Sequence, residues 1–342
     1  IAETFSYPEK HQFIDRLPIQ GLSDSDISNL HQQYLTYRPN SVNSNQVSGT
    51  IYYGLQEDEF KKMLQQTFST FTYSNPLHPD LFPDIRIMES EIVSMLSDLF
   101  QGDQETVGNV TMGGTESLLL ACKAYRDWGK SKGITSPEII VTSSAHAAFT
   151  KAQQLMNFTL TIIPIDPRTG TVPIHEFENR INKNTVCVVG SAPSYAHGII
   201  DDIQGLSELA LKYRIGCHVD SCLGGLVLPF VRNHFEIPMF DFSLSGVTSI
   251  SADTHKYGYS FKGTSVLLYR NSDWRKHQYC IDPYWTGGIY STPTLMGSRS
   301  GALIAVTWSA LVKQGKDGYT KKSVELITAK NQIIAQISHL SG

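Results

Sequence analysis

Short apolar segments alternate with amphipathic ones through the middle of this chain, and this alternation constrains the fold more than any other feature. Six segments are short and apolar enough to be buried strands: Glu138–Thr142, Thr159–Ile165, Thr185–Val189, Ile215–Val219, Val247–Ser251 and Ser265–Tyr269. Segments of helical periodicity lie near Asp84–Phe100, Leu118–Trp128, Ala147–Asn157 and Asp202–Tyr213. Strands that alternate with helices form mostly parallel sheets covered on both faces. The sequence therefore predicts an α/β fold of this kind.

The composition is that of a folded protein without a nucleic-acid surface. Of the 342 residues, 41% are hydrophobic and 18% are charged, which excludes an intrinsically disordered chain. The net charge is −4 and no basic run occurs, so nucleic acid is not expected as a partner. The longest apolar stretches, Cys222–Val231 and Ala302–Val312, are shorter than the ~20 residues of a membrane span. We therefore expect a soluble protein.

The five cysteines indicate the compartment. None belongs to a CxxC pair, and the odd count in a chain of this size favours a reducing, cytoplasmic location over a disulfide framework. The chain begins with Ile1 rather than Met and shows no basic segment followed by an apolar one. A targeting or membrane segment that preceded Ile1 is left open by this sequence.

Composition also divides the chain into three regions. The first 80 residues look irregular, because Asn40–Gly49 is polar and rich in Ser and Asn, and Tyr73–Pro83 holds three prolines. The alternating strands and helices follow, and a helical stretch, Ser323–Ile337, lies near the end. We expect an N-terminal segment over residues 1–80, a large domain over 81–320 and the beginning of a C-terminal region over 321–342.

The sharpest local motif is Thr111–Ser117 (TMGGTES), immediately before a predicted helix. Two glycines followed by Thr115 leave the first N–H groups of that helix open, beside a hydroxyl and the positive end of the helix dipole. This arrangement suits a phosphate group. The alternative is that Thr115 only caps the helix after a glycine turn.

A second motif, His218-Val219-Asp220, ends a predicted strand. Ligands of open α/β sheets bind beyond the carboxyl ends of the strands, where the Asp220 carboxylate could pair with a positively charged ring nitrogen. Asp220 could equally cap the next turn. A metal site with Cys217 and His218 is disfavoured, because adjacent side chains of a strand point to opposite faces.

Two further residues complete a set. Lys256 follows another predicted strand and has aromatic neighbours, so burial is expected to lower its pKa and to leave the neutral amine that bonds to a carbonyl carbon. His146 follows the strand Glu138–Thr142 and offers a planar ring. A phosphate cradle, a planar side chain, a carboxylate and a lysine are together the pattern of a pyridoxal 5′-phosphate site.

Several motifs resemble those of the pyridoxal phosphate-dependent group II decarboxylase family. They are Gly113–Ser117, His146, His218–Asp220 with Cys222–Gly225, Ser251–Gly258, Gly190–Tyr195, Lys262 with Gly263, and Gly297–Arg299. The resemblance covers about residues 35–318. It implies the fold of the type I pyridoxal phosphate-dependent transferases, with a seven-stranded, mostly parallel sheet, in a homodimer whose active sites lie at the subunit interface. The small C-terminal domain of that family is missing or incomplete in this sequence.

The same resemblance implies a role for each matching residue. Lys256 would bind pyridoxal 5′-phosphate covalently, His146 would stack on its ring, and Asp220 would pair with its ring nitrogen. Four residues would hold the cofactor phosphate, the last of them from the partner subunit: Gly114, Thr115, His255 and Ser298. No metal is expected.

Two N-terminal segments, Ser48–Tyr52 and Asn75–His78, are similar to those of family members that act on phosphorylated sphingoid bases. In those lyases the matching residues approach the substrate phosphate from the second subunit. The resemblance therefore implies a substrate-phosphate site made of Tyr52, Asn75, His78 and Lys262, all of which donate hydrogen bonds. On composition alone, Tyr52 and His78 would be ordinary loop residues.

The expected reaction is a lyase reaction. It breaks the Cα–Cβ bond of a phosphorylated long-chain amino alcohol by retro-aldol cleavage and releases a fatty aldehyde and phosphoethanolamine. Lys262, Tyr52 and Tyr195 are the residues expected to move the substrate proton, in that order. Two alternatives stay open: an amino-acid decarboxylase of the same fold, and an inactive protein that binds the cofactor and a partner.

Overall fold

The structure is a computed structural model, and it describes residues 14, 16–39, 42, 49–50, 52 and 58–340. Contacts divide the chain into two compact units, residues 1–54 and 55–342. In the first unit, helix α1 (Asp24–Leu35) begins after Ser23, whose hydroxyl accepts a hydrogen bond from the Asp26 N–H at 3.2 Å. The division expected from the sequence, with an N-terminal segment to residue 80 and a C-terminal region from 321, stays a prediction.

In the second unit, helices and strands alternate as expected. The elements in chain order are α2 (Asp58–Thr70), α3 (Pro83–Leu99), β1 (Val107–Thr111), α4 (Gly114–Ser131), β2 (Glu138–Thr142), α5 (Ala148–Met156), β3 (Thr159–Ile163), α6 (Ile174–Glu178), β4 (Thr185–Ser191), α7 (Ile203–Tyr213), β5 (Gly216–Asp220), α8 (Leu228–Val231), β6 (Ser249–Ala252), β7 (Ser265–Tyr269), α9 (Ser272–Arg275), β8 (Cys280–Asp282), β9 (Tyr290–Thr292) and α10 (Ala302–Ile337). Gly315 interrupts α10 with a φ of 59°.

Seven of the strands form one sheet in the order β1-β7-β6-β5-β4-β2-β3. The pairs β2–β3, β2–β4, β4–β5 and β5–β6 are parallel, whereas β7 runs antiparallel to both of its neighbours. The predicted α/β class and the mostly parallel seven-stranded sheet are confirmed. Strands β8 and β9 form a separate antiparallel pair.

Both faces of the sheet are buried, because neighbouring residues of one strand belong to different hydrophobic clusters. In β4, Val188 packs in one cluster and Val189 in the other. Residues of α3, α7 and α10 contribute to the first cluster, and residues of α4 and α5 contribute to the second. Side chains that alternate along a strand produce this two-sided core. The predicted cover of helices on both faces is therefore confirmed.

The expectation that the first 80 residues are irregular is wrong, since α1 and α2 lie within them. Phe60 and Leu64 of α2 are buried against Val306 and Ala310 of α10. They lie four residues apart and so share one face of the helix. The helix is stabilised by this packing against a distant part of the chain, which composition does not reveal.

Strand β1 is the one member of the main sheet that the apolar pattern missed. Its sequence, VGNVT, carries Gly108 and Asn109 in the middle. A Cβ at Gly108 would lie 2.4 Å from the Leu267 carbonyl oxygen of β7, so glycine is required by the close approach of the two strands. Among the described residues, no helix combines the length and the apolar composition that crossing a membrane requires.

Candidate active site

Four strands that run in the same direction, β1, β2, β5 and β6, end at one edge of the main sheet. The segments that follow them enclose a cavity of about 290 Å³. Its lining includes five of the residues predicted for the cofactor: Gly114, Thr115, His146, His255 and Lys256. The carboxyl ends of parallel strands are the usual place for a ligand site in such sheets.

The amino end of α4 forms one wall of this cavity. Gly113 is the N-cap, with a φ of 98° that suits glycine, and no side chain caps the helix. Thr115 lies inside the helix and is exposed, so the alternative in which it only caps the helix is wrong. The first N–H groups of an α-helix have no partner within the helix. In an 18-residue helix these groups and the dipole attract an anion.

Lys256 lies opposite, in the turn after β6. Its ammonium Nζ is 2.9 Å from Oδ2 of Asp253. Burial lowers the pKa of Lys256, but Asp253, Cys222 and Asp220 together raise that pKa by more, so the net pKa is raised. The expectation of a lowered pKa is therefore wrong, because the carboxylate three residues earlier contacts the amine and favours its charged form.

Two imidazoles line the cavity as predicted. His255 accepts a hydrogen bond from the Thr264 N–H at Nδ1, and burial lowers its pKa although Asp253 acts in the opposite direction. His146 is exposed and accepts the Ala148 N–H at Nδ1. This bond fixes the orientation of the His146 ring and, in the neutral form, assigns its proton to Nε2.

Asp220 ends β5 and is buried. Its Oδ1 accepts the Cys222 N–H at 3.1 Å, as the turn-cap interpretation requires. Asp220 does not line the cavity, yet its negative charge acts on Lys256. Its pairing with a ring nitrogen stays a prediction.

His218, two residues before Asp220, lies in the sheet. Its Nδ1 is 2.7 Å from the Ser249 hydroxyl and its Nε2 is 3.3 Å from the Ser251 hydroxyl. Burial lowers the pKa of His218 to about 3, so this ring is neutral. These contacts join β5 to β6, and the ring of His218 does not line the cavity.

The remaining predicted residues of the second unit do not line the cavity. Asn75 donates a hydrogen bond to the Ser298 hydroxyl at 3.0 Å, and the exposed His78 follows in the same turn. Neither Ser298 nor Asn75 lines the cavity around Lys256. In the first unit, the Tyr52 hydroxyl donates to the Gly49 carbonyl.

Lys262 and Tyr195, two of the predicted proton-transfer residues, do not line the cavity either. Burial and the charge of Lys256 lower the pKa of Lys262, which indicates that the two lysines are near one another. Tyr195 is 55% exposed and follows a cis peptide bond between Ala192 and Pro193.

Three residues at the site were given no role by the sequence analysis. Asp253 pairs with Lys256, and Cys222 lines the cavity. Glu116 accepts hydrogen bonds from the Met112 and Leu295 N–H groups and so joins the start of α4 to the segment before Ser298. The spacing of Asp253, three residues before Lys256, was the one signal that could have identified a partner.

The residues present fit pyridoxal 5′-phosphate. Helix α4 offers N–H groups for a phosphate, and a Cβ at Gly114 would lie 2.5 Å from Oδ1 of Asp253, so the backbone is open at that point only as glycine. Lys256 provides the amine and His146 a planar ring on the same cavity. The volume of about 290 Å³ is close to the lower limit of ~300 Å³ for small-molecule sites.

Comparison with known proteins agrees with this geometry. The model of the pyridoxal-dependent decarboxylase conserved domain matches residues 52–341. The chain belongs to the pyridoxal-dependent decarboxylase family. The cofactor is therefore pyridoxal 5′-phosphate, as predicted.

Curated relatives in this family are sphingosine-1-phosphate lyases. The chain is 42% identical over 327 residues to the sphingosine-1-phosphate lyase of Dictyostelium discoideum, a match that covers 95% of this chain and 61% of that protein. It is 43% identical to that of Saccharomyces cerevisiae, over 92% of this chain and 54% of that protein. The chain thus spans little more than half the length of these relatives.

Solved structures give the same picture. The sphingosine-1-phosphate lyase of Burkholderia pseudomallei superposes with a TM-score of 0.92 at 38% identity, covering 97% of this chain and 77% of that one. The glutamate decarboxylase of Lactobacillus brevis superposes with a TM-score of 0.82 at 21% identity, over 100% of this chain and 78% of that one. The second likeness concerns the fold alone, so it does not favour the decarboxylase alternative.

Proposed function

We propose that the protein is an aldehyde-lyase that cleaves a phosphorylated sphingoid base into a fatty aldehyde and phosphoethanolamine. The observation that carries the proposal is the cavity in which Lys256, His146 and the amino end of α4 meet. The sphingosine-1-phosphate lyases among the relatives support the substrate class. A cytoplasmic location also stays a proposal, supported by five free cysteines.

The residues of the cavity bind and orient the cofactor. Gly114, Thr115 and His255 hold its phosphate, because backbone N–H groups, a hydroxyl and an imidazole all donate hydrogen bonds. With the cofactor bound, His146 would stack on its ring and Lys256 would hold its aldehyde carbon. Asp220, at the end of β5, would keep the ring nitrogen protonated. When bound, pyridoxal 5′-phosphate supplies an acceptor for the electron pair of the broken carbon–carbon bond.

A second set of residues binds the substrate phosphate and moves the substrate proton. Asn75, His78, Tyr52 and Lys262 donate hydrogen bonds to the phosphate. Cleavage also requires a base for the hydroxyl next to the breaking bond. Lys262 suits this role best, since burial and the charge of Lys256 lower its pKa and so increase the neutral fraction of its amine. Tyr52 and Tyr195 are the other residues proposed for this step.

We infer that Tyr52, Asn75 and His78 reach the cavity of the partner subunit in a homodimer. Asn75 and Ser298 are hydrogen-bonded to one another, and neither lines the cavity of its own chain. A second copy would bring both of them to the cavity of its partner. The active site is then shared, and the N-terminal segment contributes to the site of the other subunit.

The reaction is tested by its products. The purified protein, loaded with cofactor, is incubated in separate reactions with a phosphorylated sphingoid base, its unphosphorylated form and glutamate. We expect a fatty aldehyde and phosphoethanolamine in equal amounts from the first substrate only, and none from the Lys256→Ala variant. Carbon dioxide from glutamate would establish the decarboxylase alternative, and no product from any substrate would establish a cofactor-binding protein without activity.

Subunit sharing is tested by mixing two inactive variants. Lys256→Ala removes the amine and Tyr52→Phe removes the hydroxyl proposed to act in the other subunit's site. If the sites are shared, exchange of subunits creates hybrids with one intact site, and part of the activity returns. A mixture of Lys256→Ala and Asp220→Asn is the matched control. Both residues are proposed to act in the site of their own chain, so every site of a hybrid dimer carries one of the two changes and no activity should return. The sharing is contradicted if proven exchange restores no activity in the first mixture.

A further inference from the structure

Asp253 is a buried carboxylate beside the side chains of Lys256 and His255. It follows β6 directly, and its side chain is 3% exposed. Oδ2 lies 2.9 Å from Nζ of Lys256 and 3.6 Å from Nε2 of His255. The Lys256 N–H also donates to the Asp253 carbonyl at 3.3 Å. The turn itself therefore holds the carboxylate next to the amine.

The second oxygen of this carboxylate has no such partner. Oδ1 is buried and makes no hydrogen bond within the residues that the structure describes. A Cβ at Gly114 would lie 2.5 Å from it, so Oδ1 lies against the first turn of α4. A buried carboxylate oxygen without a hydrogen bond is unfavourable unless a cation is near. Here the Lys256 ammonium is that cation, 2.9 Å from the other oxygen of the same carboxylate.

The charged form of Lys256 cannot bond to a carbonyl carbon, because its nitrogen has no lone pair available. Asp253 and Asp220 both favour the ammonium form, and Cys222 acts in the same direction. The other titratable groups that interact with Lys256 or face it across the cavity are His255, Tyr257, Lys262 and His146. Of all these groups, Asp253 is the one in direct contact with Nζ.

We propose that Asp253 controls the loading of the cofactor by holding Lys256 as an ammonium ion in the cofactor-free protein. Loading begins when the ammonium ion gives one proton to solvent. The nitrogen lone pair of Lys256 then attacks the aldehyde carbon, and the aldehyde oxygen leaves as water with the two protons that remain on the nitrogen. The inference rests on the proposed role of Lys256 as the lysine that bonds to the cofactor.

The test follows the rate of loading and needs no turnover. Cofactor-free protein is mixed with pyridoxal 5′-phosphate at pH 7.5, and the change in visible absorbance gives the rate constant. Borohydride reduction and peptide mapping then identify the modified lysine. One pKa unit changes the neutral fraction of an amine about tenfold, so Asp253→Asn should load at least ~10-fold faster than the parent. Asp98→Asn is the matched control, since Asp98 makes an exposed 2.9 Å pair with Lys316 and should leave the rate unchanged.

A second variant and the parent protein keep the result decisive. Asp253→Ser should also load faster, because it too lacks the charge. If neither variant folds, the parent alone decides: its rate constant should still rise about tenfold per pH unit from pH 9 to 11, without levelling off at ~10.4, the ordinary pKa of lysine. The inference is overturned if the variants load on Lys256 at the parent rate, or if the parent rate levels off at or below pH ~10.4. A modified lysine other than Lys256 overturns the proposed function itself and this inference with it.

Discussion

Two regions of the molecule carry the predicted phosphate-binding residues, and the chain builds them differently. Around Lys256, the side chains follow the ends of buried strands, so the sheet fixes their positions. Around Asn75, the residues lie in connecting segments, where a single 3.0 Å hydrogen bond joins Asn75 to Ser298. The first region is assembled within one chain. The second does not line that cavity in its own chain, and in the proposed function a second copy brings it there.

The largest effect is expected in the first region. Asp220→Asn should retain the cofactor, because Lys256 and the amino end of α4 are unchanged, but it should lose the charge that keeps the ring nitrogen protonated. Loss of a general acid or base lowers a rate by ~10²–10⁴-fold, and we expect turnover to fall by at least this much. Turnover of the phosphorylated base and cofactor absorbance are measured on the same sample.

Asp202→Asn is the control for this change. Asp202 caps α7 by accepting the Gly205 N–H at 2.9 Å and lies outside the cavity, so the variant should keep the parent rate. A near-normal rate for Asp220→Asn would mean that this carboxylate only caps the turn at Cys222.

A smaller effect is expected in the second region. His78→Ala should raise the Michaelis constant for the phosphorylated base roughly ten- to a hundredfold, because a hydrogen bond to a charged group contributes ~1.5–3 kcal/mol. Asn75→Ala should do the same and also lose its bond to Ser298. Cofactor affinity, measured by absorbance titration, should stay unchanged in both variants. If both bind the phosphorylated base as the parent does, the substrate phosphate does not bind here.

The smallest effect is expected on the free energy of unfolding, through the buried His218 of β5. Burial lowers the pKa of His218 in the folded protein to about 3. In the unfolded chain the same ring becomes protonated as the pH falls through about 6.5, whereas in the folded protein it is still neutral there. The stability that depends on the neutral ring is complete above that pH and is lost as the pH falls toward 3. From pH 7 to 5 the free energy of unfolding should fall by about 2 kcal/mol through His218.

Asp201 changes the free energy of unfolding in the opposite direction over this pH range, and its contribution can be separated from that of His218 by substitution. Burial, with a contribution from Asp220, raises the pKa of Asp201 to about 6, so its protonation stabilises the fold as the pH falls through 6. Urea unfolding at pH 7 and 5 measures the loss of unfolding free energy between the two pH values. Compared with the parent, this loss should be smaller in His218→Asn and larger in Asp201→Asn. His175→Gln, at a largely exposed histidine, is the control. An unchanged loss in His218→Asn would contradict the account.

The same contrast explains what the sequence could predict. Strands β2 and β7 have the predicted bounds, because continuous apolar runs identify buried strands. Gly114, His146 and Lys256 could be expected to lie together, and they line one cavity, because each follows a strand or begins the next helix. Helix α2 and strand β1 were missed, since α2 is stabilised by distant packing and β1 by close pairing with β7.

The electrostatics of the site were the least predictable part. The aromatic neighbours of Lys256 suggested a lowered pKa, but the contact with Asp253 raises it. The sequence shows that these residues are three positions apart and cannot show that the turn after β6 brings their side chains together. A charge pair depends on distance, and distance is a property of the fold.

The central claim is that Lys256 is the residue to which the cofactor bonds. The most direct test is borohydride reduction of the protein loaded with pyridoxal 5′-phosphate, followed by mass spectrometry of its peptides. We expect a single modified lysine, Lys256, and no modification in the Lys256→Ala variant. Modification of Lys262 or of any other lysine in place of Lys256, or of none, would contradict the account.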